Sequence, residues 1–208
     1  MTTKIGVMWY PRKKEVFRQM EQSIGVPFTV YPDFEVFKFK TEQEVKYLGG
    51  NVGCFKHYHR VLTDLCNSDA DYVGVFSDDL VYKKGWLDEA VKELKDGVGF
   101  VACYVPKGVR NRFNWSNGWH ELKGGWDTAY GGGYLFRKDV AIELLKHPFI
   151  INHLNNYEAN QQIDHAFPEA VHQMGLKQMF HVPSFINHIG ISSTIGHLHT
   201  PDNVGAGW

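Results

Sequence analysis

The sequence predicts one α/β domain, and three observations carry that prediction. Short runs rich in β-branched and aromatic residues alternate with segments whose apolar residues recur at helical spacing. The length, 208 residues, suits a single domain with a real core, and no internal repeat or low-complexity run breaks the alternation. Hydrophobic residues make up 43% and charged residues 22%, which is ordinary globular usage and argues against a disordered chain. The domain is expected over residues 1–198, followed by a mobile tail at 199–208 that carries Pro201 and Gly205.

The elements follow in order. Lys4 to Trp9 reads as a buried strand that Pro11 ends. Val16, Phe17, Met20 and Ile24 recur at helical spacing, so Glu15 to Ile24 is a helix. Pro27 to Tyr31 and Glu35 to Phe39 are short strand candidates. Thr41-Glu42-Gln43-Glu44 has the capping-box pattern of a helix start. Asn51 suits the cap of a longer helix with Phe55, Tyr58, Leu62, Leu65 and Cys66 on its inner face.

Asp71 to Phe76 is a strand that stops abruptly at Ser77-Asp78-Asp79. Leu87, Val91 and Leu94 mark another helix, and Val98 to Val105 another strand. From Pro106 to Trp126 the chain is irregular and rich in Gly, Asn and Trp, too long for a plain connector. Tyr134 to Phe136 is a short strand, and Val140 to Leu145 is helical. Ile163, Ala166, Phe167, Ala170, Val171 and Met174 define a late amphipathic helix that Gly175 ends. Lys177 to Val182 is the last clear strand.

Bulk properties narrow the function. A net charge of -1 and a pI near 6.8 carry no global basic excess of the kind nucleic-acid binders advertise. Cys54, Cys66 and Cys103 are scattered and odd in number, so no disulfide framework and a reducing cytoplasm are expected (host cytoplasm for a viral protein). No apolar run has the length of a signal h-region or a membrane span.

The sharpest chemical feature is Tyr72-Val-Gly-Val-Phe-Ser-Asp78-Asp79-Leu80. A buried strand delivers two adjacent carboxylates at its C-terminal end, where open α/β sheets bind ligands. Two such carboxylates repel unless a cation sits nearby, and a hard cation such as Mg²⁺ or Mn²⁺ also bridges phosphates. The plain alternative is a strand-to-loop turn in which Asp79 caps the next segment.

This segment resembles the DxD region of GT-A glycosyltransferases, with Ser77-Asp78-Asp79 in the motif position and Gly85-Trp86-Leu87 at the following helix start. The upstream "GGNVGCFKHYHRVL" looks like the helix that precedes that strand. It is similar to the "GCxxSH" segment of lipopolysaccharide-type galactosyltransferases, with Lys56-His57 where that group has Ser-His. "VPSFINHIGISSTIGH" resembles the C-terminal element of many GT-A enzymes, and "AYGGGYLFRKDVA" resembles their Gly-containing strand. The likeness runs from Lys4 to about His197. It implies a Rossmann-like, mixed, mostly parallel sheet flanked by helices.

The resemblance also implies roles. Asp79 and His188 would be direct ligands of Mn²⁺ or Mg²⁺, with Asp78 acting through water or on the ribose of a UDP-sugar donor. Gly190, Ser192 and Ser193 would approach the donor phosphates, because glycine and small hydroxyl residues admit backbone N–H groups. Lys56 and Arg60, one turn apart, suit the diphosphate or plain solvated surface. Trp9 and Tyr10 close the first strand where the fold receives the nucleobase, and Asp33 after the second strand suits base or ribose. Gly132 and Gly133 permit close approach of acceptor and donor sugar, or simply form a flexible turn.

An inverting transfer needs a general base. Asp164 in "NQQIDHAF", at the start of the late helix, is the first candidate, and Asp127 and Glu158 compete. The acceptor is expected across the irregular segment, on Arg110, Arg112, Trp115 and Trp119. Cations interleaved with aromatics suit a glycan face or a nucleic acid. A phage-type enzyme that glycosylates hydroxymethylated pyrimidines in DNA would look like this and would flip its base. Two rivals stand beside the transferase. One is a nucleotidyltransferase, which "GVMWYPRKK" disfavours because it lacks a Gly-rich phosphate loop. The other is an inactive nucleotide- or sugar-binding module.

Overall fold

A computed structural model of the chain describes residues 1–9, 14–32, 50–105, 115–122, 132–155 and 163–189. Among these residues the elements are β1 Thr3–Trp9, α1 Lys14–Ile24, β2 Thr29–Pro32, α2 Gly50–Cys66 and β3 Tyr72–Ser77. Then come β4 Leu80–Tyr82, α3 Trp86–Glu93, β5 Val98–Ala102, β6 Gly118–Leu122 and β7 Gly133–Arg137. The last are α4 Lys138–Lys146, α5 Pro148–Asn155, α6 Ile163–Gln173, β8 Lys177–Val182 and β9 Ile186–His188.

Seven strands form one sheet in the order β2-β1-β3-β7-β5-β8-β6. β1, β2, β3, β5 and β8 run one way, and β6 and β7 run against them. This is the mixed, mostly parallel sheet the sequence implies. β4 and β9 make a separate antiparallel pair.

The central strands β1, β3, β7 and β5 are buried on both faces, which explains why they read as continuous apolar runs. Val73, Val75, Tyr134, Phe136, Phe100 and Phe180 share a core with residues of α2, α4, α5 and α6. Ile5, Val7, Phe76, Leu135 and Val101 share the other with Met20 and Ile24 of α1 and Trp86 and Ala90 of α3. Strand residues alternate between the two cores as a period of two requires. Gly6 lets α2 lie close on β1, since a Cβ there would come within 2.7 Å of Val61 Cγ1.

The structure departs from the sequence reading in five places. The irregular stretch at 106–126 contains an edge strand, β6, held against β8 from Gly118 to Leu122. Its polar, Gly-flanked composition hid it. β4 and β9 are strands of three residues, too short for periodicity to show. α5, with "PFIINHLN", is apolar around much of its surface and offers no amphipathic signal. β5 ends at Ala102 and not at Val105. The strand at 35–39, the helix start at 41–44 and the tail at 199–208 lie outside the described residues. No helix among the described residues is long and apolar enough to cross a membrane.

Candidate functional site

The candidate site lies at the C-terminal edge of the sheet. Tyr31, Met8 and Ser77 stand in one register row across β2, β1 and β3. The row continues through Gly132, whose carbonyl accepts from Ser77 N–H at 2.8 Å. Gly133 follows, paired with Phe76, and its carbonyl accepts from Cys103 N–H at 2.9 Å. Gly133 has room for a Cβ at ordinary contact distance from Phe76, 3.4 Å, so protein packing does not demand glycine there.

At this edge β3 hands the chain to Asp78 and Asp79, which are only 3% and 2% exposed. β4 then turns into pairing with β9, with Leu80 opposite His188 and Tyr82 opposite Ile186. The pair is pinned at both ends: Lys83 N–H donates to Phe185 O at 2.9 Å, and Ile189 N–H to Asp79 O at 2.9 Å. Ser184 anchors the chain before β9, because its hydroxyl accepts from Val105 N–H at 3.1 Å. The result brings His188 Nε2 to 3.0 Å from Asp79 Oδ2. The Tyr104 ring lies 6.3 Å from that of His188, a neighbour the sequence did not suggest.

Charge follows from this burial. The Tyr82 phenol is held well above its ordinary range, first by burial, then by Cys103, Asp79 and Asp78. Tyr134, beside Gly133, is raised by burial and then by Asp164 and Tyr58. Asp164 stands in the first turn of α6, half-buried, and its charge therefore reaches the sheet next to the glycine strand.

The "GWL" helix start has a structural role. Gly85 adopts φ 77°, a left-handed conformation that favours glycine. Trp86 then drops into the core, where its Nε1–H donates to Ile24 O at 2.9 Å. This fixes the segment that follows Asp78 and Asp79 against α1.

The other candidates are distributed as follows. Trp9 ends β1, pairs with Pro32 and packs its ring against Phe17, 5.8 Å away. Lys56 is half-buried and Arg60 exposed on α2. Trp115 packs on Phe180 and Trp119 on Phe185, and they join the two different cores, so the sheet separates them. Tyr10, Asp33, Arg110, Arg112, Asp127, Glu158, Gly190, Ser192 and Ser193 lie outside the described residues.

Asp79 and His188 are a buried carboxylate and imidazole within reach of one ion, with Asp78 adjacent. A carboxylate oxygen together with an imidazole suits Mn²⁺ better than Mg²⁺, which prefers oxygen ligands alone, so the residues fit Mn²⁺. Among the described residues no group of three His, Cys, Asp or Glu forms a complete ligand set. An ion held here would draw its remaining ligands from a bound diphosphate or water.

The chain is similar in structure to GalNAc-T7 solved with UDP, GalNAc and Mn²⁺, at 10% identity and a TM-score of 0.60. That likeness covers 91% of this chain and 44% of the other, so the chain spans under half the length of that protein. It is also similar to A197 from STIV, at 11% identity and a TM-score of 0.53, covering 90% of this chain and 84% of that one. No family model matches the chain, and no curated protein matches it by sequence. Both likenesses lie at the level of fold, and that fold is the GT-A type.

Proposed function

We propose that this chain is a glycosyltransferase that takes a sugar from a UDP-sugar, bound with Mn²⁺ or Mg²⁺, and passes it to an acceptor hydroxyl. The observation that carries the reading is the buried Asp79–His188 pair at the C-terminal edge of a GT-A-type sheet. The UDP and Mn²⁺ in the GalNAc-T7 structure support the same donor class here.

In this reading Asp79 and His188 hold the ion, and Asp78 acts through water or on the ribose. The bound ion would neutralise charge developing on the leaving diphosphate. Trp9, Tyr10 and Asp33 receive the nucleoside at the ends of β1 and β2. Lys56 and Arg60 on α2, and Gly190, Ser192 and Ser193 beyond β9, meet the phosphates. Gly132 and Gly133 leave space for the sugar beside Ser77. Asp164 removes the acceptor proton, so that the acceptor oxygen bonds to the anomeric carbon as the bond to the diphosphate breaks, with inversion. The acceptor is a glycan, with hydroxymethylated DNA the alternative that salt-sensitive binding would reveal.

The test is calorimetric titration of UDP, then GDP, with and without Mn²⁺, into the protein and its Asp79→Ala and His188→Ala variants. Metal-dependent UDP binding, lost in both variants, is the expected result. A folded protein that binds neither nucleotide rejects the reading in favour of the rivals.

A further inference from the structure

On α2, Arg60 Nη2 lies 3.0 Å from His57 Nδ1, and His57 Nε2 lies 3.1 Å from the Tyr31 carbonyl. A guanidinium only donates, so His57 Nδ1 must carry the lone pair. A carbonyl only accepts, so Nε2 must carry the proton. The two contacts agree on one neutral tautomer, and each of them would be lost in the other. His57 is 4% exposed, so the ring has little freedom to turn. Arg60 is exposed, and among the described residues His57 is its one hydrogen-bond partner. Most of its five N–H donors therefore remain for a ligand.

The position matters as much as the chemistry. Tyr31 shares the register row of Met8 and Ser77, so His57 grips β2 at the edge that bears Asp78 and Asp79. The Tyr31 hydroxyl is in turn bonded to Asp64, two turns beyond His57 along α2. Helix and strand are thus tied at two levels, and the guanidinium is aimed back toward the helix N-terminus, as helical side chains point.

We infer that His57 is a positioning residue for the donor: it orients the Arg60 guanidinium and clamps the exit of β2 so that both meet a nucleoside diphosphate. This rests on the nucleotide-sugar reading. Arg60 touches the donor, and His57 acts through it.

Two substitutions separate the two bonds. Asn places its amide oxygen near the position of Nδ1 and keeps an acceptor for Arg60. Gln places its amide nitrogen near Nε2 and keeps only the donor to Tyr31. UDP affinity is measured by calorimetry with Mn²⁺ on the full chain. Arg60→Ala is expected to weaken binding about tenfold, the loss of one charge-assisted hydrogen bond. His57→Gln should fall to the Arg60→Ala level, and His57→Asn should stay within about threefold of the parent, since a neutral contact is worth less. Equal affinities of the Asn and Gln variants, or an Arg60→Ala variant that binds UDP normally, overturn the inference while leaving the donor site standing. A parent protein that binds no UDP rejects the donor reading itself. The tautomer is checked without ligand by long-range ¹H–¹⁵N correlation of the imidazole. A proton on Nδ1 overturns the clamp, and a proton on Nε2 alone supports it.

Discussion

His188 Nε2 lies 3.0 Å from Asp79 Oδ2, although β5, β6, β7 and β8 all intervene in sequence between the two residues. The contact exists because β9 returns beside β4. A carboxylate and an imidazole so placed lose solvent and gain each other, and a divalent cation would replace that mutual contact with a stronger one. From this pair follows a stability prediction. Mn²⁺ and UDP together at a hundred times their dissociation constant should stabilise the fold by about 2.7 kcal/mol. That corresponds to a rise in Tm of roughly 5–10 °C for a domain of this size. The Asp79→Ala variant should show no such rise in differential scanning fluorimetry.

Asp164 is expected to act on the acceptor and not on the donor. Asp164→Asn should reduce transfer by about 10²- to 10⁴-fold, the usual worth of a general base. UDP affinity should be unchanged. Near-normal turnover in this variant would remove Asp164 as the base.

Trp86 links the acidic turn to α1, and its loss should be felt across the whole fold. It is 2% exposed, packs at 5.1 Å from Phe76 and 5.0 Å from Tyr82, and donates to Ile24 O. Trp86→Ala should cost about 3–5 kcal/mol through the cavity it leaves. Trp86→Phe keeps most of the packing but orphans a carbonyl, and should cost about 1–3 kcal/mol. Urea denaturation with a constant m-value checks both.

Close packing between β5 and α6 gives a further test. A Cβ on Gly99 would come within 2.4 Å of Val171 Cγ1. Gly99→Ala should therefore destabilise by about 1–3 kcal/mol through overpacking. Val171→Ala should relieve part of that cost, so the double variant should be more stable than the sum of the singles predicts. Additive costs would show that the strand shifts to make room.

Alkaline pH should weaken the fold. Burial pushes the Cys66 thiol up to about 11 and holds the phenols of Tyr58, Tyr82 and Tyr134 well above their ordinary range. These groups are neutral in the folded chain and ionise more readily once unfolded. Their contribution is fully present below the unfolded values, about 8.5 for Cys and 10 for Tyr, and is lost as pH rises beyond them. Tm should be flat with respect to these groups up to about pH 8 and fall steadily above it. A Tm unchanged to pH 11 would show that the phenols are not buried in solution.

The sequence by itself determined the local elements and pointed to one edge of the sheet as a candidate site. Short runs of apolar, β-branched and aromatic residues placed β1, β3 and β8, and apolar residues at helical spacing placed α1, α2 and α6, because these patterns are set by near neighbours. The abrupt end of β3 at Ser77-Asp78-Asp79 likewise marked the acidic edge. Only the tertiary structure decided which distant segments meet there. β4 and β9 are too short to announce themselves, and they pair because Leu80, Tyr82 and Ile186 bury one another's surface. Tertiary packing also set β6 on the sheet edge and thereby put Trp115 and Trp119 in different cores. It turned Arg60 toward His57, a contact that the sequence does not announce. Such choices depend on burial between residues far apart in the chain, and no local pattern records them.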